Sequence, residues 1–386
     1  MKKSLLITYF FPPEIGGIQN YLYHLCDGIE AGKIAVLANQ RGEDSLNFDQ
    51  KQKFKIYRKN FLSPKFFKLW NIFLFLEVLR IIKKEKIEFL QFGHYHQFCL
   101  TGFICKILFN LPYLIYFHGV DLSIVKNNKM KILLFKIIAK KAEFLIANSD
   151  FVKIELIKLG AREKKIKIIT PAVNAEKFDL SAKNDWLIKK YNLLNKRIIL
   201  SIGRLTRIKG FDLVIKAMPR ILKEIPNLVY LIIGNAIESN YKKELEKLIT
   251  EFNLDKKVIF LGKIEDKEEI KSRYYNLAEL VIMPSREIKH KNYSHIESFG
   301  IAALEAQAMK KPVVASAYGG LKESVLDGQT GVLFDPENID RLSFIIIKLL
   351  KDENLILKMG LKGRERMEKE FSWSDRLKRF SHIINI

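Results

Sequence analysis

The sequence predicts an α/β protein of two doubly wound, Rossmann-like domains with a ligand-binding cleft between them. The chain has 386 residues, which is long for one ordinary domain. Short continuous apolar runs alternate with helical patterns, and such runs are typical of parallel strands covered by helices on both faces. This alternation occurs twice along the chain, so we expect two open parallel sheets.

The predicted strands form two series. The first series is Leu5–Phe10, Lys33–Leu37, Phe54–Tyr57, Phe89–Phe92, Tyr113–Phe117, Phe144–Ala147 and Lys167–Ile169. The second series is Ile198–Ile202, Val229–Ile233, Val258–Leu261, Leu280–Met283, Val313–Ala315 and Val332–Phe334. The segment Pro171–Asn184 lies between the two series and is the best linker candidate. We therefore expect one domain over residues 1–178 and a second over residues 185–371.

Composition and charge limit the classes of function. Hydrophobic residues make up 48% of the chain, enough for two cores. The formal charge of +23 suggests nucleic acid or an anionic membrane as a partner, although part of it could lie on solvated faces. Residues 51–141 hold 18 Lys and Arg against 4 acidic residues, so this quarter of the chain carries +14.

The sequence also indicates a compartment. Its three cysteines are few and odd in number, and they are typical of free thiols in a reducing environment. The first apolar run stops at Pro12-Pro13 without a cleavage site of small residues, so a strand is expected there rather than a signal peptide. No uninterrupted apolar run reaches the roughly 20 residues that span a bilayer. A cytoplasmic protein is expected.

A basic turn follows the predicted strand Ile198–Ile202. Arg204 and Lys209 lie in it, between Gly203 and a second glycine. One guanidinium and one ammonium together suit the charges of a pyrophosphate. A solvated turn is the alternative interpretation, and Arg207, between the two, could take either role.

Two glutamates follow the predicted strand Leu280–Met283. Glu305 lies in the helical run Ile301–Met309, eight residues after Glu297, and eight residues of helix rise roughly 12 Å. That separation suits two ends of one extended ligand better than an acid and a base at one bond. One carboxylate can accept from two vicinal ribose hydroxyls, and the other can accept from a sugar ring. Ordinary solvated helix positions are the alternative.

In the first half of the chain, glycines and a histidine follow strand ends. Gly16-Gly17 separates the first strand from a helical pattern, where backbone N–H groups can approach an anion. A tight turn without a ligand explains this pair equally well. His118 follows the strand Tyr113–Phe117 and could reach a ligand, or it could pack under a loop.

Together these elements resemble glycosyltransferase family 4, a family of retaining enzymes with the GT-B fold. The resemblance covers essentially the whole chain, and its specific part is the Glu-x7-Glu motif after the Gly-Arg-x4-Lys-Gly turn. The matching residues are Gly16-Gly17, His118-Gly119-Val120-Asp121, Pro171-Ala172-Val173-Asn174 with Phe178, Gly203-Arg204, Lys209-Gly210, Glu297, Glu305 and Gly319-Gly320. Two departures stand out: the usual Asn-Gly of the linker motif is Ala172-Val173, and the loop Glu287–Ile296 is longer and more basic than the family leads one to expect.

The resemblance implies roles for these residues. Arg204 and Lys209 would bind the donor diphosphate, and Glu305 would hold the ribose hydroxyls. Glu297 would face the transferred sugar, and His118 would touch that sugar near the anomeric centre. The implied catalytic residues are Glu297, His118, Arg204 and Lys209, and the other implied donor-binding positions are Gly16, Gly17, Gly203, Phe299 and Gly300. The first domain would bind the acceptor, the second the donor, and the final helix, residues 372–386, would pack back on the first domain.

The implied reaction moves a hexose-type sugar from a UDP- or GDP-sugar to a membrane-associated, lipid-linked glycan in the synthesis of a bacterial surface polysaccharide such as lipopolysaccharide or O-antigen. In front-face displacement, the leaving diphosphate oxygen takes the acceptor proton, and no protein nucleophile is required. The protein stabilises charge on the leaving phosphate and orients both substrates. No acidic pair suited to a divalent metal stands out, so neither a metal nor another cofactor is expected.

Three other classes fit parts of the sequence. A dinucleotide dehydrogenase would need a G-x-G-x-x-G turn after a strand, and the sequence has none in that context. A sugar-nucleotide epimerase can share the GT-B fold and acts without an acceptor. A non-catalytic nucleic-acid-binding protein fits the charge, but no recognised motif for it is present, so no nucleic-acid partner is expected.

The segment Lys65–Lys86 is apolar but interrupted by charges, so it does not span a bilayer. A core helix would explain its apolar residues. The bases around it favour contact with an anionic membrane instead, because each Lys or Arg near such a surface contributes about 1 kcal/mol. The candidate contacts are Lys65, Phe66, Phe67, Lys68, Trp70, Lys83, Lys84 and Lys86. We expect a peripheral protein on the inner face of the cytoplasmic membrane.

Overall fold

A computed structural model describes residues 2–40, 44–60, 70–96, 98–126, 128–289 and 294–384. The chain divides into two compact units. The first unit runs to Pro171 and also contains the C-terminal helix Trp373–Ile384. The second contains the described residues from Ala172 to Ser372. Each unit has its own parallel sheet and core.

The first unit is built on a seven-stranded sheet with the order β3-β2-β1-β4-β5-β6-β7. Its strands are β1 (Ser4–Thr8), β2 (Ile34–Asn39), β3 (Lys55–Lys59), β4 (Phe89–Phe92), β5 (Tyr113–Phe117), β6 (Phe144–Ala147) and β7 (Ile166–Ile168). All the pairings are parallel, and Ile7 of β1 lies opposite Leu37 of β2 and Phe92 of β4. The strand order changes direction between β1 and β4, which is where open α/β sheets bind ligands.

Helices cover this sheet. They are α1 (Gly17–Asp27), α2 (Asp44–Gln50), α3 (Trp70–Glu85), α4 (Cys99–Phe109), α5 (Val120–Lys126), α6 (Lys129–Lys141) and α7 (Asp150–Lys158), together with the C-terminal helix. Helix α7 begins after Ser149 because the hydroxyl of this serine caps it, accepting from the backbone N–H of Val152 at 3.1 Å. In the described residues, no helix is long and apolar enough to cross a membrane.

The second unit is built on a six-stranded parallel sheet with the order β10-β9-β8-β11-β14-β15. Its strands are β8 (Arg197–Ile202), β9 (Leu228–Ile233), β10 (Val258–Gly262), β11 (Leu280–Met283), β14 (Val313–Ser316) and β15 (Gly331–Phe334). A separate antiparallel pair joins β12 (Ile288–Lys289) to β13 (Ser294–His295). The direction of the strand order changes between β8 and β11, as it does between β1 and β4.

The helices of the second unit lie on both faces of its sheet in the doubly wound pattern. They are α8 (Asp185–Lys190), α9 (Phe211–Glu224), α10 (Ser239–Glu251), α11 (Glu268–Leu277), α12 (Ile301–Ala308), α13 (Leu321–Ser324), α14 (Ile339–Leu350) and α15 (Glu353–Glu370). Single 3₁₀ turns occupy Ala175–Lys177 and Arg207–Lys209 in this unit and Glu163–Lys165 in the first unit. Two separate hydrophobic clusters fill the unit.

The predicted fold class is confirmed, because each of the two predicted strand series forms one parallel sheet. Phe89–Phe92, Tyr113–Phe117, Phe144–Ala147 and Leu280–Met283 match their predicted bounds. The short pair β12–β13 was not predicted. Its two-residue strands lie among polar residues and carry no apolar run, so periodicity could not indicate them. The cysteines are free and buried.

Candidate functional site

In the second unit, the basic turn after β8 is held against the residues that follow β11. Gly210 has φ 66°, and a Cβ there would collide with the carbonyl oxygen of Pro284. The backbone N–H of Arg286 donates to the carbonyl of Ile208 at 2.9 Å. Only glycine allows both this backbone conformation and this close approach. The turn is therefore fixed at the carboxyl ends of two neighbouring strands, with Lys209 in it.

Lys209 and Glu297 form an ion pair through Nζ and Oε2, and their side chains are 19% and 16% exposed. Two residues expected at different parts of a ligand thus contact each other directly. Arg204 lies on the same turn and is exposed. Within the described ranges, its guanidinium has no hydrogen-bond or ion-pair partner. At this edge of the sheet, the guanidinium of Arg204 has no partner among the described residues, and a stronger anion could replace Glu297 as the partner of Lys209.

Glu297 is placed by the glycine pair after β14. The backbone N–H of Gly320 donates to the Glu297 carbonyl at 3.0 Å. Gly319 has φ 54°, and a Cβ there would collide with the same carbonyl oxygen. This glycine pair acts by close backbone packing, which sets the loop that carries Glu297.

One expectation about the two glutamates was wrong. Glu305 lies on α12, but Glu297 does not, because the helix begins only at Ile301 after Gly300. The eight-residue spacing is therefore not a helical rise of roughly 12 Å. The loop between them is anchored by Phe299, whose side chain is buried in the second unit's core.

Glu305 is held by two side chains of α11. Lys271 donates to Oε1 at 2.5 Å, and the Tyr275 hydroxyl donates to Oε2 at 2.9 Å. Lys271 also donates to Asp266 at 2.7 Å. Burial opposes the charged form of Lys271, but the attraction of Glu305 and Asp266 outweighs it and raises the pKa of the ammonium. The lysine is therefore a buried, permanent cation.

A second network of an ion pair and hydrogen bonds surrounds Asp212, which follows the basic turn. The guanidinium of Arg286 binds Asp212 of α9, and the Tyr241 hydroxyl donates to the same carboxylate at 2.7 Å. Burial acts to raise the pKa of Asp212, but the neighbouring Arg286 outweighs this and lowers it. The sequence did not indicate Lys271, Tyr275, Asp212 or Arg286. Single charges on helices carry no signal in a chain with 66 Lys and Arg.

In the first unit, His118 lies at the carboxyl end of β5 and is only 5% exposed. Its Nε2 donates to the carbonyl of Gly93, after β4, at 2.8 Å, in the tautomer with that nitrogen protonated. Burial lowers the pKa of His118 to about 4, although the hydrogen bond to Gly93 opposes the shift. The imidazole is therefore neutral near pH 7, with one ring nitrogen bound to a backbone carbonyl.

Asp121 supports this loop. Its carboxylate accepts from the backbone N–H groups of His118 at 3.1 Å and Tyr95 at 3.3 Å. Burial raises the pKa of Asp121 to about 6, against the effect of these hydrogen bonds.

Two more histidines follow β4, and neither was expected at the site from the sequence. The His94 ring lies 5.0 Å from the Phe10 ring and 6.1 Å from the His96 ring, between centroids. Burial, and then the neighbouring His96 and His118, lower the pKa of His94; burial lowers that of His96 to about 4. Their His-x-His spacing directly after a strand was the available signal.

The first glycine pair opens α1. Gly16 has an extended backbone at the N-cap, and the helix begins at Gly17. In the portion of the chain that the structure describes, no side chain caps this end and its first turn has no acidic residue. The first N–H groups of α1 could therefore receive an anion.

Five of the eight proposed membrane contacts have side chains outside the described residues. This applies to Lys65, Phe66, Phe67 and Lys68, and to the side chain of Trp70. The described candidates Lys83, Lys84 and Lys86 are exposed at the end of α3. Towards its start, α3 also exposes Ile72, Phe73 and Leu76, by 66%, 57% and 56%. Across the described ranges, no group of three His, Cys, Asp or Glu residues could hold a metal ion.

Two family models match the chain, and together they cover most of it. The model described as Glycosyltransferase Family 4 matches residues 15–177. The model described as Glycosyl transferases group 1 matches residues 184–366.

Individual relatives agree with the family models. A GDP-mannose-dependent monoacylated alpha-(1-6)-phosphatidylinositol monomannoside mannosyltransferase of Corynebacterium glutamicum is 26% identical, over 99% of this chain and 98% of its own. The capsular polysaccharide biosynthesis glycosyltransferase CapM of Staphylococcus aureus is 28% identical, over 77% of this chain and 76% of its own. The crystal structure of Anabaena HepE in complex with UDP and glucose has a TM-score of 0.84 at 21% identity, over the whole of both chains.

Proposed function

Because the chain is a glycosyltransferase that belongs to family 4 and has the GT-B fold, we propose that it transfers a hexose from a nucleotide-sugar to a lipid-linked glycan, with retention of configuration. The observation that carries this proposal is the contact of Lys209 with Glu297, beside the exposed Arg204. These three side chains stand at the carboxyl edge of the second sheet, where a doubly wound domain binds its ligand.

The ion pair suggests how the donor binds. A diphosphate is a stronger partner for an ammonium than a single carboxylate is, so the donor would take Lys209 from Glu297. Arg204 would bind the same diphosphate as a bidentate partner. Glu297, released from the ammonium, would then accept hydrogen bonds from hydroxyls of the transferred sugar. Donor binding and orientation of the sugar would thus be one event.

The reaction itself would need little from the protein beyond charge and position. The bond between the anomeric carbon and the diphosphate oxygen breaks, the acceptor oxygen forms a bond to the same face, and the leaving oxygen takes the acceptor proton. Arg204 and Lys209 would stabilise the charge that develops on the diphosphate. We propose that this makes the reaction independent of a divalent metal, because two protein cations supply the charge a metal would bring.

The relatives supply the first substrates to test. The name of the corynebacterial relative specifies GDP-mannose and a phosphatidylinositol monomannoside. GDP-mannose is therefore the first donor candidate, followed by UDP-sugars because HepE was solved with UDP. A lipid-linked glycan of the cell surface, as in lipopolysaccharide or O-antigen synthesis, is the proposed acceptor.

A membrane-borne acceptor gives the basic first unit a purpose. Residues 51–141 carry +14, and α3 exposes apolar side chains towards its start and lysines at its end. Such a surface suits peripheral binding to anionic lipid. We propose that the protein works on the inner face of the cytoplasmic membrane, held there by charge and by the apolar residues of α3.

Thermal stabilisation by GDP-mannose, UDP-glucose and related nucleotide-sugars tests the donor proposal. We expect one of them to raise the melting temperature of the wild type and of Arg207→Ala, but not of Lys209→Ala. Arg207 is the matched control, because it lies on the same turn and its guanidinium binds Glu244 instead. Stabilisation by no nucleotide-sugar would contradict the proposal. Full loss of transfer on chelation with EDTA, restored by magnesium, would contradict metal independence.

A further inference from the structure

We propose that Lys271 is a positioning residue that aims the Glu305 carboxylate at the ribose of the donor, and so makes this protein discriminate ribose from deoxyribose. The inference rests on the proposed function and deepens it, since it assigns the recognition of the nucleoside to a particular pair of side chains. Neither the sequence motifs nor the resemblance pointed to Lys271.

Both oxygens of the Glu305 carboxylate are contacted by side chains of α11. Lys271 and Tyr275 are four residues apart on α11, and they therefore share a face of the helix. One binds Oε1 at 2.5 Å and the other binds Oε2 at 2.9 Å. Each carboxylate oxygen has two acceptor sites. With one site on each oxygen occupied, one on each remains, which matches two vicinal hydroxyls.

Lys271 is itself anchored by two carboxylates. Its side chain is 9% exposed, whereas that of Glu305 is 13% exposed. Asp266 holds the ammonium at 2.7 Å, so the cation is fixed between two carboxylates rather than free to follow one. A lysine side chain has many rotamers and is rarely buried without such partners. This arrangement keeps the Glu305 carboxylate in one orientation before any ligand arrives.

The remaining acceptor sites of Glu305 select the kind of ligand that can bind there. A carboxylate whose remaining sites are acceptors recognises groups that donate, and it repels phosphate. Hydroxyls of a sugar fit this requirement. Of the two glutamates, Glu297 contacts the proposed diphosphate-binding lysine, and Glu305 contacts a separate lysine on another helix. The two glutamates would therefore bind different parts of the donor: Glu297 would bind the transferred sugar beside the diphosphate, and Glu305 would bind the ribose.

The test is a binding cycle between ligand and protein, run on the full chain by calorimetry. The ligands are GDP and UDP and their 2′,3′-dideoxy forms. The proteins are the wild type, Lys271→Met and, as the matched control, Lys267→Met. Lys267 is the N-cap residue of α11, four residues before Lys271, and its side chain is 68% exposed. In the wild type, losing the hydroxyls should weaken binding roughly tenfold to a hundredfold, as expected for hydrogen bonds to a charged group.

We expect Lys271→Met to reduce this discrimination to about threefold or less, with the affinity for the dideoxy ligand unchanged. Lys267→Met should keep the wild-type discrimination. A general structural defect would weaken the binding of both ligands equally, and that result would overturn the proposal, as would wild-type discrimination in Lys271→Met. Binding of neither GDP nor UDP to the wild type would instead overturn the proposed donor.

Removing a buried cation could unfold the protein, so a second variant is matched in charge. Asp266→Asn with Lys271→Met removes one negative and one positive charge together. It leaves Glu305 and Tyr275 in place. Retained discrimination between ribose and dideoxyribose in this folded double variant would also overturn the proposal. Its loss, with thermal stability near that of the wild type, would support it.

Discussion

The two units present opposite chemistry at the carboxyl ends of their sheets. In the second unit, Lys209 and Lys271 are charged and each is bound to a glutamate. In the first unit, the side chains at the equivalent edge include His94 and His118, whose pKa values are lowered by burial, so they are neutral near pH 7. The same type of sheet thus carries a charged edge in one unit and neutral imidazoles in the other.

The difference indicates a division of labour. The exchangeable ion pair of Lys209 with Glu297 suits a diphosphate, because the ligand replaces a carboxylate that already holds the cation in place. The buried imidazoles of the first unit carry no charge near pH 7, so they offer no ion pair to a charged ligand. Substitutions at the two edges should therefore have effects of different kind as well as of different size.

The largest effect is expected at the charged edge. Lys209→Ala or Arg204→Ala should remove about 3–4 kcal/mol of transition-state stabilisation and so lower the rate of transfer by a factor of several hundred. The loss of one oxyanion donor has an effect of this size. Single-turnover kinetics would measure it, with circular dichroism to verify folding. Arg207→Ala, on the same turn but paired with Glu244, should retain nearly full activity. Equal rates in all three variants would place the diphosphate elsewhere.

At the edge with the neutral histidines, the expected effect is on how the free energy of unfolding depends on pH. Because the pKa of His118 is about 4 when folded, against roughly 6.5 unfolded, the unfolded chain binds more protons between these values. The contribution of His118 to the free energy of unfolding is therefore present above pH 6.5 and is lost as the pH falls towards 4. It amounts to a change on the order of 3 kcal/mol.

His118→Asn should accordingly show a smaller loss of stability than the wild type between pH 7 and pH 4, in denaturant titrations at both pH values. Asp121 contributes in the opposite direction, since its pKa is raised to about 6, but it remains in both proteins. The exposed His382 is the matched control. If His118→Asn and His382→Asn had the same pH dependence, His118 would not be the buried neutral group described above.

A smaller effect should separate the two glutamates within the charged edge. Glu305→Gln should raise KM for the donor, because ribose contacts are similar in the ground and transition states. Glu297→Gln should mainly lower kcat, since contacts to the transferred sugar change as the bond breaks. Each loss should be about 1.5–3 kcal/mol, the range for hydrogen bonds to charged groups. Steady-state kinetics that showed the same parameter affected in both variants would contradict the assignment.

The last effect is expected on membrane binding. Each lysine near an anionic surface contributes about 1 kcal/mol, so Lys83→Glu with Lys84→Glu should weaken vesicle binding at least about thirtyfold. The control is Lys358→Glu with Lys362→Glu on α15, which changes the charge equally on the other unit. Co-sedimentation with phosphatidylglycerol vesicles would measure both. Equal weakening by the two pairs would indicate a nonspecific effect of net charge.

The sequence was sufficient for the sheets and for the turns that carry the motifs. Continuous apolar runs such as Tyr113–Phe117 indicated buried strands, and glycines marked the turns after them. It could not indicate which charges would pair. Lys209 and Glu297 are 88 residues apart, and Lys271 and Glu305 are 34 apart, so only the fold brings them together. The helical run Ile301–Met309 placed the start of α12 correctly, and the error lay only in counting Glu297 as part of that helix.

The most direct test of the central claim is a transfer assay with labelled GDP-mannose and UDP-glucose and a lipid-linked glycan acceptor, with the product's anomeric configuration read by NMR. We predict that one sugar appears in the lipid fraction with the α-configuration of the donor retained, in the wild type and Arg207→Ala but not in Lys209→Ala. Inversion at the anomeric carbon, or transfer undiminished by Lys209→Ala, would contradict the account.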